Sequence, residues 1–337
     1  MIETVYFGTY TQKTSKGIYA ADFDTETGQL DNLRLLAKEG SPTYLAFSRD
    51  GYLYSVSKQE GRGGIASFNP DFQLINQVLE EGSGLCYVSV DDKRQLIYGV
   101  NYHKGQLLIY KRQNDGKLNL VNKLQCHGAG PHPNQDRSHL HFADLTPDKY
   151  LITCDLGTDS LTSYDINADG KLTKIGNYQA APGAGCRHLI FHPDFKIAYM
   201  ICELNATIEV LIYDGYGQFE HYQTISTLPD DYHGFNACAA IRISSDGKFI
   251  YASNRGHNSI AVFEVAGDGI LETRQIISTS GENPRDFNLS PDGKFLLAAH
   301  QDSDNVTIFK RDKASGILTE ISHEFLVPEA VCLVFKK

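Results

Sequence analysis

The sequence contains no tryptophan and only 2 methionines in 337 residues. No run of about 18 apolar residues occurs, which excludes a transmembrane helix. The opening Met1-Ile2-Glu3-Thr4-Val5 has no basic region ahead of an apolar stretch, so no secretory signal is expected. Cysteine is sparse: the 7 copies are odd in number and form no Cys-x-x-Cys pair. That usage fits a reducing cytoplasm, with most thiols acting as small buried apolar groups. No P-loop, no Rossmann glycine fingerprint and no Gly-x-Ser-x-Gly elbow is present. Positive charge is also short. Lys+Arg 31 minus Asp+Glu 41 gives −10, which disfavours nucleic acid and anionic membrane surfaces as partners.

Glycine and aromatics are plentiful: 30 Gly, 19 Tyr and 17 Phe. Many turns with many aromatics point to short strands. The order of these residues is repetitive. An apolar strand followed by an Asp turn reads Leu45-Ala46-Phe47-Ser48-Arg49-Asp50-Gly51 and returns five times. Its turn residues are Asp50, Asp92, Asp148, Asp194, Asp246 and Asp292. A second phrase, an alternating strand leading into a hairpin turn, occurs seven times, with Gly28, Asp71, Gly116, Gly170, Gly217, Gly269 and Gly316 in the turns. Alternation of period two between such turns predicts antiparallel strands.

Each repeat therefore holds four strands in about 48 residues, the period of a β-propeller blade. The expected fold is all-β: a seven-bladed β-propeller of four-stranded antiparallel blades. Six copies of one phrase against seven of the other has a simple cause. The chain starts on a second strand, Val5 to Thr9, and ends on a first strand, Ala330 to Phe335. Pairing of those two strands closes the ring. Length alone suggests two domains of roughly 150 residues, but no linker is visible, so residues 1–337 are expected to form one domain.

Inner strands of a propeller line its central channel. Counting six residues back from the Pro of each Pro-Asp turn, or its equivalent, reaches the start of each inner strand. The residues there are Thr43, Leu85, His141, Arg187, Ala239 and Arg285, with Glu329 aligned through Pro328. Packing alone does not call for two Arg, a His and a Glu around a narrow hole. The second strands end on polar residues, among them Asp155, Glu203 and Asn254-Arg255. Arg187 and Glu203 share a blade and are expected to face each other, with Asp155 the counterpart of Glu203 one blade earlier. The long connection from Cys126 to Arg137 leads into His139 and His141, which two-residue spacing on a strand would point the same way. A structural salt bridge for Arg187 and Glu203, and a metal pair formed by the two histidines with Glu203, are the competing readings. No metal and no cofactor is expected.

The strings Asp155-Leu156-Gly157-Thr158-Asp159 and Gly185-Cys186-Arg187-His188-Leu189-Ile190-Phe191-His192-Pro193-Asp194, with Glu203, resemble the seven-bladed propeller lactonases. That family includes propeller-type 6-phosphogluconolactonases and is similar to the fungal carboxymuconate lactonizing enzyme. WD-repeat propellers do not fit a chain without tryptophan. The resemblance implies a metal-independent enzyme using a His, an Arg and a Glu, which map to His141 (with His139 close behind), Arg187 and Glu203. His139, Asp155, Arg255, Arg285 and His188 are the substrate-binding candidates, Arg255 and Arg285 because a guanidinium fork matches phosphate oxygens. The expected activity is hydrolysis of a sugar lactone, foremost 6-phosphoglucono-1,5-lactone. Alternatives are a cycloisomerase acting on a muconate-like dicarboxylate and a non-enzymatic binding propeller. The expected partner is a small anionic substrate, for a cytoplasmic monomer or weak homo-oligomer.

Overall fold

The computed structural model describes residues 1–336. Among them are 28 strands and no helix, arranged as seven four-stranded sheets. This is the seven-bladed propeller architecture that the repeat predicts. The strands divide between two compact units. One comprises residues 1–35, 188–212 and 221 onward; the other comprises 36–187 and 213–220.

In the first unit the C-terminal strand Ala330–Phe335 pairs antiparallel with the N-terminal strand Ile2–Thr9, placing Val5 opposite Phe335 and Phe7 opposite Leu333. The expected closure by the two chain ends is therefore present. Phe23 meets Phe295 edge-on at 5.5 Å, in a cluster with Val5, Phe7, Leu297, Val306 and Leu333. Full burial of each such side chain stabilises the fold by roughly 1.5–3 kcal/mol. Buried tyrosines tie successive sheets together. The Tyr199 hydroxyl donates to the Gly269 carbonyl and the Tyr251 hydroxyl to the Gly316 carbonyl, each at 2.9 Å. The acceptors are the hairpin glycines of the repeat, so the abundance of both residue types has one cause. In the second unit Tyr54, Ile65, Ile97, Leu108 and Tyr110 form the corresponding core. There Ser67 donates to the Gly116 carbonyl at 2.7 Å.

The Asp turns are structural, as their chemistry suggests. The Ser244 hydroxyl donates to Asp246 at 2.6 Å and accepts from the Phe249 amide at 3.0 Å. Ser290, Asp292 and Phe295 repeat the pattern.

Strand register corrects three sequence-based expectations. Asn101 pairs with Gln106, Asp155 with Ser160, Cys202 with Thr207 and Asn254 with Ser259. Asp155 is thus equivalent to Cys202 and Asn254. Glu203 lies one position further on and matches Tyr102, Leu156 and Arg255, not Asp155. Counting polar residues at strand ends missed this, because the last paired residue and the one after it are both polar in most repeats. Second, Leu140 pairs with Asp155 and Phe142 with Cys154, so His141 is the extra residue of a β-bulge. His139 precedes the strand Leu140–Leu145. The two-residue periodicity that would have aligned the histidines is therefore broken between them. Third, Arg285 is the extra residue between Pro284 and Asp286, and Val331 is the one between Ala330 and Cys332. Val331, not Glu329, occupies the position of His141 and Arg285. Glu329 instead accepts hydrogen bonds from the backbone amides of Gln12, Lys13, Thr14 and Ser15 at 2.9–3.1 Å. Burial alone would raise its pKa, but these four donors outweigh it and hold the carboxyl below its ordinary value.

Candidate active site

In the unit containing residues 36–187, the site is built on Asp155. This buried residue ends the strand Leu151–Asp155. Its carboxylate accepts the Ser138 hydroxyl at 2.5 Å, the His139 amide at 2.7 Å and the Gly157 amide at 2.9 Å. The sequence marks Asp155 as a substrate ligand; the structure shows its oxygens engaged in fixing the chain on either side of His139. Gly157 is required at close quarters. A Cβ there would come within 1.8 Å of the Arg137 carbonyl.

His139 stacks on Tyr102 with ring centroids 4.3 Å apart and 17° between planes. Its Nδ1 lies 2.9 Å from the Tyr102 carbonyl and its Nε2 lies 2.8 Å from Asp136 Oδ1. Both partners are acceptors, so both bonds form together only when the ring carries two protons. An imidazole held this way is not placed to take a proton from water. His141 is buried, with its ring edge-on to Tyr102 at 5.9 Å. Of the two histidines, His141 is therefore the better acid–base candidate. Nearby, burial pushes the His103 pKa down, and the positive charge of His139 and Lys58 adds to the effect.

The loop leading to these histidines is pinned by Gln135, which is fully buried. Its amide donates to the Leu156 carbonyl at 2.8 Å and to Asp159 at 2.6 Å, and its carbonyl accepts from the His132 amide at 3.0 Å. Asp159 also accepts from the amides of Gly183 at 2.7 Å and Gly185 at 2.6 Å. One carboxylate thus anchors both the histidine loop and the segment entering Cys186–Phe191, the strand that carries buried Arg187. The same loop borders a cavity of about 460 Å³ lined by His103, Lys104, His127 and Arg137. Two of those cations are already engaged: Lys104 donates to the Glu81 carbonyl, and Arg137 pairs with Asp136 at 2.7 Å.

In the other unit, His188 is buried on the strand Cys186–Phe191. Glu203 follows the strand Ile197–Cys202, and its carboxylate lies 2.9 Å from Arg255 Nη2. The two occupy equivalent positions of successive sheets, which explains the pairing. Arg255 also donates from Nε to the Ala237 carbonyl at 3.2 Å and from Nη2 to the Cys238 carbonyl at 3.1 Å. Nε and Nη2 are thereby used, while among the described residues the Nη1 edge makes no hydrogen bond. The Arg255 and Glu203 side chains are 14% and 17% exposed, enough for water to reach them. Arg285 is half-buried at its bulge, its guanidinium 5.9 Å from the centre of the Tyr10 ring. His300, the residue equivalent to Asp155, is fully buried, and its Nδ1 donates to the Asn305 carbonyl at 2.9 Å. Burial lowers its pKa to about 4.

A model of the lactonase family, seven-bladed β-propeller, matches residues 4–335. The chain belongs to this lactonase family. Every candidate residue lies inside the matched span. A Bacillus subtilis protein named 6-phosphogluconolactonase is 41% identical over 340 residues, covering 98% of this chain and 97% of that one. The crystal structure of a Lactobacillus plantarum protein superposes with a TM-score of 0.98 at 44% identity, covering all of both chains. The periplasmic gluconolactonase of Pseudomonas aeruginosa superposes with a TM-score of 0.90 at 28% identity over 99% of each chain.

Three residues that hold the chain around the candidate site were not singled out as site residues from the sequence: Tyr102, Gln135 and Asp159. Tyr102 was reachable by counting through the five-residue turns, since it occupies the position of Glu203 and Arg255. Asp159 lies in the Asp155-Leu156-Gly157-Thr158-Asp159 string. Gln135 had no signal, because nothing in a polar loop distinguishes a fully buried amide from an exposed one. Among the described residues no three His, Cys, Asp or Glu side chains form a metal-binding group.

Proposed function

We propose that this lactonase-family chain hydrolyses a sugar lactone, with 6-phosphoglucono-1,5-lactone the leading substrate. The supporting observation is the Glu203–Arg255 pair, 2.9 Å apart and partly open to water. Ring opening needs a proton removed from attacking water and an oxyanion stabilised as the carbonyl becomes tetrahedral. Glu203 is assigned as the general base. Arg255 holds the Glu203 carboxylate with Nη2 and offers Nη1 to an anionic group of the substrate, a geometry suited to phosphate oxygens.

His141 is assigned to proton transfer and Arg187 to the oxyanion or the substrate's anionic end. Arg285 and His188 are assigned to substrate binding. Asp155 and His139 act by position: the first holds the chain around the second, and the second braces Tyr102. Opening the lactone at neutral pH releases a proton from the new acid, so a pH indicator follows the reaction continuously. The test is a panel of phosphorylated and unphosphorylated sugar lactones and a muconate-type lactone, each with and without chelator. The expected result is acceleration of 6-phosphoglucono-1,5-lactone hydrolysis well above the spontaneous rate, unchanged by chelator. No acceleration of any sugar lactone would overturn the proposal.

A further inference from the structure

The loop from Pro229 to Asn236 enters the strand Ala237–Ile243, whose first residue pairs with Arg255. It presents one large apolar side chain to solvent: Phe235 is 74% exposed. A single exposed phenylalanine is ordinary; the way this one is held distinguishes it. The Tyr232 hydroxyl donates to the Phe235 carbonyl at 2.8 Å, and the Tyr232 ring sits edge-on to His257 at 4.5 Å. The next residue, Asn236, donates to Asn254 at 3.0 Å. Gly256, directly after Arg255, packs against Phe235 so closely that a Cβ would lie 2.3 Å from the Phe235 carbonyl oxygen and 2.9 Å from ring atom Cδ1. Its φ of +100° is also one that only glycine adopts readily. The Phe235 backbone is thus held against Gly256, directly after Arg255 in the chain, with most of the ring's surface left open.

We propose that Phe235 is a substrate-positioning residue, an aromatic platform that receives the C–H face of the lactone ring while Arg255 takes its anionic group. The electron-rich face of an aromatic ring attracts the slightly positive C–H edge of a sugar ring and offers it apolar area. This deepens the lactone reading and rests on it: a sugar lactone is the substrate class with both an apolar ring face and polar edges.

The chain has no tryptophan, so Phe235→Trp places a single fluorophore at this position. The probe is 6-phosphogluconolactam, which keeps both the ring and the anionic group and resists hydrolysis. Saturable change in tryptophan emission on titration with the lactam is expected. In the activity assay Phe235→Ala is expected to raise KM about three- to tenfold, the range that loss of one aromatic contact supports, with kcat within about twofold. Phe235→Tyr restores KM, and Gly256→Ala, which displaces the ring, raises it as Phe235→Ala does. Unaltered emission at millimolar lactam overturns the inference, with or without lactonase activity. So does a wild-type KM in Phe235→Ala. Absence of activity in the wild type is a separate result that overturns the lactone reading.

Discussion

Replacing Asp155 with Asn tests whether a buried carboxylate organises the loop that carries His139. Its two oxygens accept from the Ser138 hydroxyl, the His139 amide and the Gly157 amide. An asparagine oxygen can keep both amides while its NH2 faces the Ser138 hydroxyl, which turns to accept. Geometry is then preserved and only the charge is lost. Hydrogen bonds to a charged partner contribute about 1.5–3 kcal/mol and neutral ones about 0.5–1.5 kcal/mol, so each of the three weakens by about 1 kcal/mol. Asp155→Asn should lose about 3 kcal/mol of stability, which a domain with a reserve of about 5–15 kcal/mol survives. Asp155→Ala leaves two amides without an acceptor and should lose more. Urea unfolding at pH 7 reads the loss, and amide hydrogen exchange at His139 and Gly157 locates it. If Asp155→Asn unfolds at the wild-type midpoint with wild-type exchange at both amides, Asp155 is not the anchor of this loop.

Other substitutions probe different parts of the fold. The pKa of His300 falls from an ordinary 6.5 to about 4, so above pH 6.5 the residue is neutral in both folded and unfolded chains and imposes no penalty. As pH falls from 6.5 to 4 the unfolded chain takes up a proton that the folded one refuses, and stability drops by about 3 kcal/mol. His300→Asn, which keeps a donor for the Asn305 carbonyl, should remove that part of the pH dependence in urea titrations at pH 7 and pH 4.5. Glu329→Gln keeps a neutral acceptor for the Lys13, Thr14 and Ser15 amides but turns its NH2 toward the Gln12 amide, which loses its acceptor, and should cost about 3–5 kcal/mol in the same assay at pH 7. Its contribution is present above the ordinary carboxylate pKa and fades as pH falls through the lowered value, so the wild type and variant should converge in acid. Arg255→Met removes the guanidinium proposed to take the substrate's phosphate; KM for the phosphorylated lactone should rise by about tenfold or more while the unphosphorylated lactone is affected less.

The fold was largely legible because a propeller writes itself into sequence several times. Six Asp turns and seven hairpins set the period, and the mismatch between them located the closing strand pair. The site was legible only in part. Polarity at strand ends pointed to Asp155, Glu203 and Arg255 together, yet register separates them. Asp155 is an inward hydrogen-bond hub, whereas Glu203 and Arg255 stand one position beyond it and are partly exposed. His139 and His141 look like partners under strict alternation, but an inserted residue at His141 breaks that alternation, and bulges leave no consistent mark in composition. Gln135 and Phe235 show the same limit from opposite sides. Burial of the first and exposure of the second depend on loop paths that the local sequence does not encode.

The central claim is that Glu203, charged and paired with Arg255, removes the proton in lactone hydrolysis. Its most direct test is the kcat of Glu203→Gln on 6-phosphoglucono-1,5-lactone, measured by proton release with the spontaneous rate subtracted. General-base catalysis contributes about a hundredfold to ten-thousandfold. The expected result is a fall of kcat by at least about a hundredfold with the variant as stable as the wild type. A Glu203→Gln protein that turns over the lactone at the wild-type rate would contradict it.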